Sequence, residues 1–307
     1  METFLEFLKS IVFGLVEGIT EWLPISSTGH MIILESFWGF SETQGKDFFN
    51  FYLVIIQLGA ILAVVITFFR ELWPFGVSKS KEEKKEIWKT WLKILIASIP
   101  AGIVGGVFGD WLDEHLYGYL TVAITLIVYG IFFIVLEYAL KRKATKLEAE
   151  EDPTKRDLFR VHEVKAVTYR MAIWIGLAQM LALIPGTSRS GITICAALLL
   201  SMDRETSAKF SFYLSIPAML GGPLIKGIQY GVHVHQGTAV GLTGLQVGLI
   251  VVGMAVAFAI SMVVVRFFLK LLKKHTFTGF GYYRIGLGTL LLILFFSIPS
   301  LQVAFFH

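Results

Sequence analysis

Charge is what this chain has least of. Only 16% of its 307 residues are Asp, Glu, Lys or Arg, where a soluble protein carries about 25%. That shortage excludes a solvated globular surface, and with it a nucleic-acid partner, which needs a dense basic face. Cysteine is almost missing too. The single Cys195 excludes an internal disulfide and a cysteine-based metal cage. A basic leader is also absent: residues 1–8 carry two glutamates and no Lys or Arg, and no small-residue cleavage pattern follows. The chain is therefore read as mature from Met1.

Apolar sequence fills the gap, at 55% of all residues. Runs at about 48–69, 91–108, 120–139, 210–228, 245–269 and 283–300 approach the roughly 20 residues that cross a bilayer as a helix. They lack the polar face that a soluble helix keeps.

Basic residues set the predicted orientation. Of the 27 Lys and Arg, 22 fall in four regions, 70–89, 141–170, 204–209 and 266–284, while 109–118 and 229–244 contain none. The positive-inside rule makes the four basic regions cytoplasmic. Two regions remain, about 4–39 and 171–202, each with apolar stretches broken by Pro, Gly and Ser. The second has Arg170 and Arg204 at its ends, so it enters and leaves on one side, as a re-entrant hairpin. The first does the same from the outer side.

Hairpins and spans repeat. At a shift of 162, Gly14, Leu15, Ser26 and Gly29 meet Gly176, Leu177, Ser188 and Gly191, Thr28 meets Ser190, and Glu17 meets Gln179. The sequence predicts an all-α polytopic membrane protein with an inverted-topology repeat, each half one re-entrant helical hairpin plus three transmembrane helices. Residues 1–140 form the first repeat, 141–169 a cytoplasmic linker and 170–307 the second repeat. An odd number of spans per half inverts the second relative to the first, an arrangement common in transporters.

The costly groups sit in the hairpins. "EGITEWLPISSTGH" offers Glu17, Glu21, Ser26, Ser27, Thr28 and His30. Glu17 and Glu21 are four apart, so both carboxylates share a helix face and repel unless a cation sits between them. Ionisable residues at membrane depth read as functional. "PGTSRSGIT" offers Thr187, Ser188, Arg189, Ser190 and Thr193 at a helix start, where backbone N–H groups and a guanidinium make an anion cradle. Arg189 can also neutralise a buried glutamate across the repeat. If the hairpins meet, the parts suit phosphoryl transfer: carboxylates, hydroxyls, an imidazole and a phosphate clamp.

These motifs carry a resemblance over nearly the whole chain. "EGITE" followed by "PISSTGH", together with "PGTSRSGIT", resembles the bacterial undecaprenyl-diphosphate phosphatase family linked to bacitracin resistance. The resemblance implies an enzyme of the cytoplasmic membrane, with its site facing outward. It converts undecaprenyl diphosphate to undecaprenyl phosphate, the lipid carrier for cell-wall synthesis, and depends on a divalent cation, Mg²⁺ or Ca²⁺. By position, Glu17 and Glu21 would hold the metal, Ser27 would be the nucleophile and His30 its general base or the leaving-group acid. Arg189 would bind the diphosphate, and Ser26, Thr28, Thr187, Ser188, Ser190 and Thr193 would supply hydrogen bonds. His30 or a metal-activated water remain alternative nucleophiles. A polyprenyl-phosphate transporter is the competing reading; a cation channel leaves Arg189 unexplained.

The expected partners are the polyprenyl diphosphate lipid and the bilayer, and a homodimer stays open. His233 and His235 read as outer-loop surface histidines. Gln57 and Lys226, inside apolar runs, are candidate cavity residues. Trp22, Trp38, Trp73, Trp88, Trp91 and Trp111 fall near predicted span ends, as interfacial anchors do.

Overall fold

The computed structural model describes residues 2–116, 118–150, 152, 156–236 and 241–297. Among these, it is all-helical apart from one isolated bridge between Val161 and Met202. In chain order the helices are α1 (Glu2–Thr20), α2 (Ser27–Trp38), α3 (Ser41–Gln44), α4 (Lys46–Thr67), α5 (Phe69–Leu72), α6 (Lys81–Leu116) and α7 (Tyr119–Glu148). Then come α8 (Tyr169–Gln179), α9 (Arg189–Leu199), α10 (Arg204–His235), α11 (Gly244–Leu272) and α12 (Thr278–Ser297).

Five described helices are long and apolar enough to cross a membrane: α4, α6 over Lys81–Gly109, α7, α11 and α12. The sixth predicted span lies in α10, which falls outside that set because serines, glycines and two interior prolines, Pro217 and Pro223, dilute its apolar content.

Several helices outrun their predicted spans. α6 starts at Lys81 because the run "KEEKKE" is rich in good helix formers, with Glu82 and Glu83 in the first turn where the helix dipole favours acids. α7 runs on to Glu148, into the segment predicted as linker, for the same reason of propensity. α10 continues to His235, so His233 and His235 sit on its last turn rather than in a loop. Positions 298–300, the predicted end of the last span, lie outside the described residues.

Two helices break where Pro and Gly were read as interruptions. α1 ends at Thr20 and α2 begins at Ser27; α8 ends at Gln179, a 3₁₀ turn covers Met180–Leu183, and α9 begins at Arg189. Each restart is capped by a serine with positive φ, Ser26 at 72° and Ser188 at 70°. Each serine hydroxyl accepts from a glycine three residues on, Gly29 N at 3.3 Å and Gly191 N at 3.2 Å. The hydroxyl thereby satisfies an otherwise orphaned helix-start N–H.

Packing follows the same pairing. α1 lies along α11 and α8 along α6; α11 also packs on α4, α6 on α10, α7 on α12 and α4 on α10. Two glycines permit the first two contacts. A Cβ on Gly14 would stand 2.6 Å from Gly253 O, and one on Gly176 would stand 2.3 Å from Ala97 O. Such small residues let backbones approach where lipid leaves no hydrophobic drive between helices. Trp22 departs from its predicted place at an interface. It is fully buried, edge-on to Phe212 at 5.2 Å, because the α1 break turns it into the protein.

Candidate active site

The two breaks face one another, and the polar groups of each meet. Glu21, just past the end of α1, is the hub. Ser27 Oγ donates to Glu21 Oε2 at 2.5 Å. Arg189 Nη2 donates to Glu21 Oε1 at 2.5 Å, across 168 positions of sequence. One carboxylate thus joins a hydroxyl from the first break to the guanidinium from the second. Charge-assisted bonds of this kind are the strong ones. The Ser190 hydroxyl adds weaker ties to Glu21 O at 3.3 Å and Leu23 O at 3.4 Å.

Arg189 is only partly used by the protein. Besides Glu21 it reaches Ser215 O at 3.4 Å and Met219 Sδ at 3.0 Å. It lines a cavity of about 230 Å³ together with Glu21, Ser26, Ser27, Thr28 and Ser188. Gln57 from α4 lines it as well; Lys226 is exposed on α10 and does not. A guanidinium with donors to spare, beside a helix start and a cluster of hydroxyls, can take phosphate oxygens.

The remaining predicted residues divide. Thr193 turns away, donating to Arg189 O at 2.8 Å and meeting Ser211 Oγ at 2.7 Å, so it braces α9 against α10. Thr187 is buried and its hydroxyl has no hydrogen-bond partner. Among the described residues no hydrogen bond joins His30 to Ser27. Its Nδ1 lies 2.7 Å from Ser26 O, and its Nε2 lies 2.7 Å from the hydroxyl of Tyr283. A carbonyl can only accept, so Nδ1 carries the proton, and in the neutral ring Nε2 accepts from Tyr283.

Glu17 stands one turn before Glu21, 2% exposed, and its Oε1 has no hydrogen-bond partner. A buried carboxylate oxygen left bare is costly. Glu21 lines the cavity beside the hydroxyls and Glu17, one turn behind it, does not; carboxylates and hydroxyls are hard oxygen donors, the kind that Mg²⁺ or Ca²⁺ takes, with water and substrate oxygens completing the shell. The residues therefore fit a divalent cation. Among the described residues no group of three or more His, Cys, Asp and Glu gathers in a metal-holding arrangement.

Two residues of the site escaped the sequence reading, and both come from α12. Tyr283 is the histidine's partner. Arg284, counted among the cytoplasmic basic residues, is instead completely buried. Its guanidinium donates to Pro24 O at 3.2 Å, Gly186 O at 2.7 Å and Thr187 O at 3.1 Å. The available signal was the reach of the apolar pattern of α12 on both sides of an arginine.

Known proteins with this sequence pattern are numerous. Residues 10–290 match the family model described as bacitracin resistance protein BacA. The undecaprenyl-diphosphatase of Streptococcus mutans serotype c is 45% identical over 289 residues, covering 94% of this chain and 96% of that protein. Undecaprenyl-diphosphatase 1 of Clostridioides difficile is 46% identical over 300 residues, covering 96% and 99%. The undecaprenyl-diphosphatase of Enterococcus faecalis is 43% identical over 289 residues, covering 94% and 97%.

Proposed function

We propose, from the premise that the chain belongs to the bacitracin resistance protein BacA family, that the Ser27–Glu21–Arg189 cluster is the active site of an integral-membrane undecaprenyl-diphosphatase. The enzyme hydrolyses undecaprenyl diphosphate to undecaprenyl phosphate and inorganic phosphate, which returns the lipid carrier to cell-wall synthesis and confers bacitracin resistance. The observation that carries the site assignment is Glu21 bonded at once to Ser27 and Arg189.

The roles follow from the contacts. Arg189 exchanges Glu21 for the oxygens of the diphosphate, so the substrate brings its own counter-charge to the clamp. Ser27 Oγ attacks the terminal phosphorus while its proton passes to Glu21 Oε2, the atom it already faces. The P–O bond to the bridging oxygen breaks and undecaprenyl phosphate leaves. Water then hydrolyses the phosphoserine, releasing phosphate and returning the proton to Ser27. His30 is the second proton carrier, serving that hydrolytic step. Glu17 and Glu21 would hold a divalent cation, which when bound neutralises charge on the phosphate oxygens. The cavity is of headgroup size; the prenyl chain stays in the bilayer.

We read the scaffold as an inverted repeat with two re-entrant hairpins in the bacterial cytoplasmic membrane, site facing outward. Support comes from the matched serine caps and the paired helix contacts, α1 with α11 as α8 with α6. Transporters use such scaffolds too. Phosphate release in detergent, with no compartments, separates hydrolysis from transport.

Rapid-mixing kinetics test the scheme. Wild type is expected to show a burst of undecaprenyl phosphate and a phosphoserine. Ser27→Ala abolishes both, and His30→Ala accumulates the phosphoserine because its hydrolysis slows. Full turnover by Ser27→Ala would end the serine scheme in favour of direct attack by water.

A further inference from the structure

Arg284 carries a charge for which no described residue supplies an anion. It is 0% exposed, and among the described residues no carboxylate lies within ion-pair distance. Its Nε has no hydrogen-bond partner. The guanidinium packs over the rings of Phe133 at 5.2 Å and Tyr129 at 5.9 Å, which helps to hold the cation. Burying a guanidinium this deeply is expensive, and a methionine or leucine would fill the same space without that cost. The expense points to a task.

That task is visible in what the fork grips. All three acceptors are backbone carbonyls in the two helix breaks: Pro24 O in the first, Gly186 O and Thr187 O in the second. Pro24 stands two residues before Ser26, and Thr187 directly before Ser188, the two serines held at positive φ. Gly186 itself has φ of 88°. Such backbone persists only when its surroundings over-determine it. One planar fork spans the breaks that deliver Ser27 and Arg189, respectively.

We propose that Arg284 is a positioning residue that sets the register of the two breaks, and so the distance between the nucleophile side and the phosphate clamp. This rests on the assignment of Ser27, Glu21 and Arg189 as the active site. Arg284 is not among the residues that line the cavity, and among the described residues its hydrogen bonds all go to main chain; its charge also faces His30, so the lysine variant, which keeps the charge, separates register from electrostatics. Misplacing reacting groups by about 1 Å can cost about a hundredfold in rate while a clamp carried on one loop still binds. The signature is therefore a loss in kcat with little change in KM.

The test uses full-length protein in detergent, with Arg284→Lys and Arg284→Met. Lysine keeps the charge but is a point donor that cannot span two loops; methionine keeps volume alone. Phosphate release from a polyprenyl diphosphate gives kcat and KM, and thermal unfolding of the same samples gives the stability. The expected result is folded protein for at least one variant, kcat down ten- to a hundredfold, and KM within about threefold of wild type. Arg284→Lys is expected to be no better than tenfold below wild type despite its charge. The proposal is overturned if Arg284→Lys retains wild-type kcat, if the loss lies in KM, or if both variants fail to fold, which makes Arg284 a purely structural pin. A wild type that releases no phosphate would instead indict the active-site assignment, so the two failures are distinct.

Discussion

Glu21 shows how much one residue can decide. Its two oxygens are both engaged, one by Ser27 and one by Arg189, so each orientation of the carboxylate fixes two groups of the proposed site. The sequence made the cast legible, because carboxylates, an arginine and clustered hydroxyls have no reason to stand in apolar surroundings. It did not make the pairings legible. The family resemblance implied His30 as the base or leaving-group acid beside Ser27; in the structure Ser27 bonds Glu21 and His30 bonds Tyr283. Arg284 was hidden for another reason: it follows a stretch containing Arg266, Lys270, Lys273 and Lys274, and a count of positive charge cannot tell the last of a cytoplasmic group from the first of a buried one. A residue-scale prediction concerns Gly186. At φ 88° a side chain is strained, and a Cβ there would lie 1.9 Å from Thr125 Oγ1. Gly186→Ala should destabilise by about 1–3 kcal/mol, read as a lower thermal midpoint in detergent. Adding Thr125→Ala should recover part of that loss, since it removes the nearest contact and leaves those with Val122 Cα and O, each at 3.0 Å, together with the backbone strain.

At the scale of elements, apolar length and basic ends anticipated which segments are helices, while their termini were set by things length does not encode. α6 and α7 extend because charged residues are good helix formers beyond the apolar run. α10 begins where Asp203 caps it, accepting from Thr206 N at 2.7 Å. The same carboxylate accepts from His162 Nδ1 at 3.0 Å, and Asp157 accepts from Nε2 at 2.9 Å. Two carboxylates on two ring nitrogens require the doubly protonated imidazole. The bond to Asp157 first, then that to Asp203, holds the His162 pKa above its ordinary 6.5. A raised folded-state pKa means that the clasp's contribution is full below the ordinary value and is lost as pH rises through the raised one. The adjacent amides of Arg160 and Val161, both bonded to Ser201 O, should exchange hydrogen faster above that transition, after correction for intrinsic base catalysis. His162→Gln should show no such pH-dependent step. A step that persists in the variant would assign it to another group.

For the whole molecule, the decisive property is that two distant breaks, Glu21–Ser26 in one half and Ile184–Ser188 in the other, close on each other. The repeat in the sequence hinted at equivalent parts; that the two breaks meet is shown by the bonds between Glu21 and Arg189 and between Glu21 and Ser190. Orientation is testable independently of chemistry. Cys195 is fully buried and gives a silent background. Single cysteines replacing exposed Ser80 and Gly241 should label from opposite sides of the membrane with an impermeant maleimide, Ser80→Cys from the cytoplasm and Gly241→Cys from outside. Labelling of both from one side would break the predicted topology.

We propose one site, divided between two breaks, for metal-dependent phosphatase chemistry, with Glu21 and Arg189 as its opposed halves. The direct measurement is phosphate release from a polyprenyl diphosphate by purified wild type, Glu21→Ala and Arg189→Ala, each with and without chelator. Wild-type activity should be abolished by chelator and restored by Mg²⁺ or Ca²⁺, with each variant at least about a hundredfold slower in kcat/KM, the scale of losing a preorganised charged contact. Wild-type turnover by either variant, or activity indifferent to chelator, would contradict it.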